Sequence, residues 1–186
     1  MAMTNPKNSN QSFFISLLSF IPIFVFVMYA RIKQFLGSCN VAWQEPFYIG
    51  ALLAIVLTTL QCYSGLILDR LMMGANLFLV ASATFFLFQI NPCLSFLGAY
   101  KGPSFILAVL LVGIYSTFFT RYGFVGCTGD QSKIRYASLI LLVATVAALA
   151  WAFIFNHHGL LISAVAPFIT LRMLNEYLKN GIQQRA

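Results

Sequence analysis

From Phe47 to Ile90 the chain runs for 44 residues with only two charged side chains, Asp69 and Arg70, side by side near the middle. No single element can hold that stretch. As one helix rising ~1.5 Å per residue it would be roughly 66 Å long, about twice the ~30 Å hydrocarbon core of a bilayer. The chain must fold back, and Asp69–Arg70 is the polar place for it to do so. A charge at the centre of a membrane helix costs ~2.5–3.5 kcal/mol even on the insertion scale. The pair is therefore expected in a tight hairpin at headgroup level.

The rest of the sequence has the same character. Of 186 residues, 60% are hydrophobic and 8% charged, against ~25% charged in ordinary soluble domains. A water-soluble fold of this size has too much surface for its volume to hide so many apolar side chains. The reading is an all-α, polytopic transmembrane helix bundle. Six stretches reach or approach the ~20 apolar residues a crossing needs: residues 12–30, 47–68, 71–90, 103–120, 137–155 and 159–178. A polar leader (1–11) precedes this domain (12–180), and a short tail (181–186) follows it. The first stretch exceeds the ~7–15 residues of a signal-peptide core, so it is read as a retained helix.

The eleven Lys and Arg give a net charge of +7. They are scattered and form no basic stripe with interleaved aromatics, which argues against nucleic acid. With six spans, eight of them (Lys7, Arg70, Arg121, Lys133, Arg135, Arg172, Lys179 and Arg185) fall on one side and three (Arg31, Lys33 and Lys101) on the other. The positive-inside bias then puts both termini in the cytoplasm of a cell whose inner (plasma) membrane holds the chain. Tyr29, Trp43, Tyr48, Tyr100, Tyr122 and Tyr136 lie near the ends of the spans, where amphipathic rings favour the interface. Membrane lipids are the first partners this implies, with other envelope membrane proteins or a second copy next.

Few residues invite chemistry. His157 and His158 are adjacent, so their rings diverge, and no Cys or carboxylate is near in sequence; they are read as turn residues, not metal ligands. Cys39 and Cys93 both fall on the outer side and are the one plausible disulfide pair if that compartment is oxidising. "GFVGCTGDQSK" (residues 123–133) is glycine-rich but lacks the phosphate-loop spacing and a preceding strand. It is read as a flexible cytoplasmic loop, with Asp130 capping the next helix. No cofactor site and no catalytic constellation emerge.

The last span is the most informative. Only thirteen residues, 159–171, precede Arg172, so the helix must continue through "RMLNEYLKN" to a stop at Asn180–Gly181. Leu171, Leu174, Leu178 and Ile182 keep one face apolar, and Arg172 and Glu176 are i,i+4 neighbours able to pair. Arg172 can snorkel to the headgroups or line a cavity open to the cytoplasm. Pro167 should bend this helix by removing a bond to the Ser163 carbonyl, and Pro22 the first span likewise. Gln61, Asn76 and Gln89 are polar residues in the spans that can bond across helices or line a path.

Three patches carry a resemblance: "SFIPIFVFVMYARIK" (19–33), "YKGPSFILAVL" (100–110) and "AWAFIFN" (150–156). They are similar to segments of the bacterial intracellular septation protein A family, inner-membrane proteins linked to division and envelope upkeep. The chain departs from that family in lacking a G-G-L-T-L segment and in its final span. The resemblance implies a non-enzymatic envelope protein acting through helix-mediated contacts with other envelope or division proteins. The alternative is a small solute transporter or channel with a cytoplasm-facing cavity near Arg172. Reporter fusions after residue 8 and at residue 184 should report the same, cytoplasmic face; opposite faces would refute an even number of crossings.

Overall fold

A computed structural model describes residues 20–35, 44–63 and 69–183. The leader, the start of the first expected span, Cys39, Trp43, the hairpin residues 64–68 and the extreme C-terminus lie outside the described residues. The described residues form helices and turns: α1 (Ile21–Phe35), α2 (Gln44–Tyr63), α3 (Arg70–Leu87), α4 (Asn91–Ala99), α5 (Lys101–Phe119), α6 (Gln131–Ile154) and α7 (Ala166–Gln183). Four of them, α2, α3, α5 and α6, are long and apolar enough to cross a membrane.

Local chemistry sets where these helices begin. Asp69 is extended, and its carboxylate accepts from the Leu71 amide at 3.2 Å, so it is the N-cap of α3. Asp130 caps α6 as expected, accepting from the Ser132 amide at 3.1 Å and its hydroxyl at 2.8 Å. These hydrogen bonds hold the Asp130 carboxyl below the usual carboxylate range. With that cap α6 starts at Gln131, six residues ahead of the apolar stretch, taking Lys133 and Arg135 into its first turns. Residues 91–99, expected as part of a connection, form the short helix α4, with Pro92 in its first turn where a missing amide costs nothing.

Neighbouring helices pack in the order α1, α2, α3, α5, α6, α7. One row of rings crosses them. Phe26 meets Phe47 at 4.7 Å between centroids, Phe47 meets Phe78 at 5.9 Å, Phe78 meets Phe105 at 5.4 Å, and Phe105 meets Phe168 at 5.1 Å. Five helices (α1, α2, α3, α5 and α7) each contribute one ring. Tilted and edge-on pairs at these distances add ~0.5–1.5 kcal/mol each beyond burial. Between α3 and α5 the approach is closer still: a Cβ on Gly74 would stand 2.7 Å from the Val109 Cα.

The last helix departs from simple α geometry. Residues Leu161–Val165 form a π-turn, and the Ala166 amide reaches back five residues to the Leu161 carbonyl. In that register the amide missing at Pro167 is the partner of the Ile162 carbonyl, not of Ser163 as α geometry predicts. The Trp151 indole N–H supplies the replacement, donating to the Ile162 oxygen at 3.2 Å. Downstream, α7 does not stop at Asn180–Gly181 but continues to Gln183. Ile182 is buried there, in van der Waals range of Gly129, and its burial outweighs the weak local stop signal.

Substitution at two glycines should separate packing from propensity. Gly74→Ala should destabilise the protein by about 1–3 kcal/mol through overpacking. Gly98→Ala on α4, where a Cβ meets nothing within 4 Å, should be neutral or stabilising by up to ~1 kcal/mol. Thermal midpoints in one detergent would check both.

Candidate functional site

Charge is concentrated at the end of the bundle where α3 starts and α7 finishes. The second oxygen of the Asp69 carboxylate faces the Arg172 guanidinium at 3.6 Å and the Lys179 ammonium at 3.7 Å. These side chains are 10%, 16% and 18% exposed respectively. Arg172 also lies over the Phe20 ring, 4.0 Å from its centroid, a cation–π contact of ~0.5–2 kcal/mol. The start of α3, the end of α7 and the residue preceding α1 are thus tied together by one carboxylate and one guanidinium.

This corrects the local reading of the last span. Glu176, half exposed, takes Lys179 at 3.1 Å instead of Arg172, and Arg172 reaches across to Asp69. The reason is position. Asp69 is the more buried acid, and water screens an ion pair less there than at the Glu176 rim. The question of Asp69–Arg70 resolves in the same way: Asp69 serves as cap and ion-pair partner, and Arg70 turns to the Met73 sulfur at 3.6 Å.

Beside this cluster on α7 is Asn175, which is wholly buried. Neither atom of its carboxamide has a hydrogen-bonding partner among the described residues. The sequence held the signal: Asn175 sits four residues after Leu171 and seven before Ile182, on the inward face of α7.

The glycine-rich segment before α6 is a plug, not a flexible loop. Phe124 and Val125 are fully buried, and the Phe124 ring fills the space a Cβ on Gly113 would need, 2.7 Å away. Ser138 of α6 accepts from the Phe124 amide at 2.9 Å and the Val125 amide at 3.5 Å. Gly123 turns the chain inward with φ of +59°, a conformation glycine adopts without strain. Burial pushes the Cys127 thiol up from its ordinary range, with nearby Lys179 opposing.

The other residues singled out are dispersed. Asn76 donates to Thr58 at 3.2 Å across the α2–α3 seam, with Gln61 buried one turn beyond Thr58. Gln89 is exposed past the opposite end of α3, with φ of +51°. His157 and His158 are exposed in a 3-10 turn (Asn156–His158), and the His158 ring packs 5.7 Å from Phe155. Among the described residues no three His, Cys, Asp or Glu converge on a point. Cys93 is half-buried on α4, and Cys39 lies outside the described residues.

Two larger spaces are lined almost wholly by apolar side chains. A groove of ≈ 390 Å³ runs between α6 and α7 along Ala144, Ala147, Ala148, Trp151 and Pro167. A cavity of ≈ 240 Å³ lies toward α4, walled by the rings of Phe26, Phe47, Phe78 and Phe86, with Leu97, Gly98 and Lys101 at α4 and the start of α5. No family model, curated protein or solved structure matches the chain.

A double-mutant cycle tests the ion cluster. Asp69→Asn and Arg172→Gln should each lower the thermal midpoint, and the double variant should lose less than the sum. A coupling of ~0.5–3 kcal/mol is expected for contacting charges; additive losses would show that the pair does not interact.

Proposed function

We propose that the chain is a non-enzymatic, multi-pass protein of the inner membrane that works through helix-mediated contacts with other envelope proteins. In this reading it crosses six times, with α1 and α7 as the outermost crossings in sequence and both termini in the cytoplasm. Four helices of membrane-spanning length and composition support it. So does the distribution of side chains. Leu52, Phe118, Phe119, Val143 and Met173 are each more than half exposed, while Asn76, Ser82, Ser138, Thr145 and Asn175 are buried. That inversion suits a hydrocarbon solvent.

The observation that carries the contact role is the α6–α7 groove. Its floor is alanine, and small side chains let a second helix approach closely where lipid offers no hydrophobic drive. The resemblance read from the sequence implies envelope or division proteins as the partner class. A photo-crosslinking residue at Ala147 should trap a membrane protein in intact cells, and one at Leu52, on another face of the bundle, should trap far less. Lipid adducts alone at both positions would defeat the proposal.

One observation favours the transporter alternative. The carboxamide of Asn175, buried near Arg172 and without a hydrogen-bonding partner among the described residues, could meet a solute if the Asp69 link to α7 opened. Flux of an uncharged or anionic solute in liposomes, lost in Arg172→Ala, would select that reading over contact alone.

A further inference from the structure

We propose that the phenylalanine-walled cavity holds one acyl chain of an anionic membrane phospholipid, with the headgroup phosphate on Lys101. The inference rests on the membrane reading above and adds a specific ligand site to it.

The walls dictate the ligand's body. Four aromatic rings, each flat and internally rigid, wall a space of ≈ 240 Å³. Apolar cavities stay dry: an engineered one of ~150 Å³ lined by Leu, Ile and Phe takes up benzene. This space is larger, and left empty its whole lining would forgo dispersion contacts. Hydrocarbon fills it best. For a chain surrounded by lipid, the abundant source is a neighbouring acyl tail.

The mouth dictates the head. Phe26, Phe47 and Phe78 are buried, but Gly98 and Lys101 at the rim are exposed. Among the described residues of the lining, the charged one is Lys101. It opens α5, a helix of 19 residues, so the positive end of the helix dipole adds to its charge. A compact ammonium at a helix start favours a head of net negative charge over one whose phosphate is offset by its own cation. The entrance is clear at Gly98, where a Cβ meets nothing within 4 Å.

The test uses the full chain, purified in mild detergent and delipidated, titrated with phosphatidylglycerol or phosphatidylcholine of matched acyl chains and read by native mass spectrometry. For wild type the first bound phosphatidylglycerol should exceed phosphatidylcholine about fivefold, the selectivity of one lysine near a membrane surface. Lys101→Gln should bring the two lipids level. Gly98→Trp should place an indole across the mouth and reduce first-site occupancy by both lipids at an unchanged thermal midpoint. Equal binding of the two lipids to wild type, or occupancy unaltered in both variants, would overturn the proposal. If instead the protein is recovered from cells without detergent, the membrane reading itself fails. That outcome is read before any lipid is added.

Discussion

A backbone amide or carbonyl surrounded by apolar side chains must find its partner within the chain, and this requirement organises the molecule. Helices meet most of it. Inside them polar side chains meet their own need: the hydroxyls of Thr59, Thr84, Ser104, Ser116, Thr117 and Thr145 each donate to the carbonyl four residues back. Ser138 accepts two amides from the plug, and Asn156 donates to the Ala99 carbonyl at 2.9 Å, tying the α6–α7 turn to the end of α4.

Against that background Asp69 stands out because it serves two kinds of demand at once. One oxygen satisfies a helix end, and the other meets two cations from the far end of the chain. Removing either cation leaves the carboxylate with the other, whereas removing the carboxylate breaks both contacts at once. The phenylalanine row does the equivalent work in the middle of the bundle without charge. Together they hold α7, the most polar of the long helices, against its more apolar neighbours.

How much of this could be read beforehand depends on the range of the interaction. The fold-back near Asp69, the cap at Asp130 and the apolar face of α7 follow from neighbours within a turn or two, and all were legible. The Asp69–Arg172 pair spans over a hundred residues, so the i,i+4 rule pointed to Glu176 instead. Parity held the missing clue, since the six alternating spans expected from the sequence would put Asp69 and Arg172 at the same end. The burial of Phe124 and Val125 contradicts the composition of their loop, where glycine suggests freedom. Only Gly113 on α5, eleven residues earlier, makes room for that ring. The ring-lined cavity had no local signature, because its walls come from three helices and its mouth from two more.

The π-turn at Leu161–Val165 has a consequence for everything after it. A π-turn holds one residue more than the α-helical turn it replaces, and each residue advances the helix by about 100°. Arg172 and Lys179 therefore present themselves to Asp69 only because of a surplus residue upstream, stabilised by the Trp151 indole of a different helix. A shortening of that turn by one residue would leave the charges in the sequence untouched and swing them by more than a quarter of a revolution. The orientation of this end of the protein is written in its spacing as much as in its chemistry.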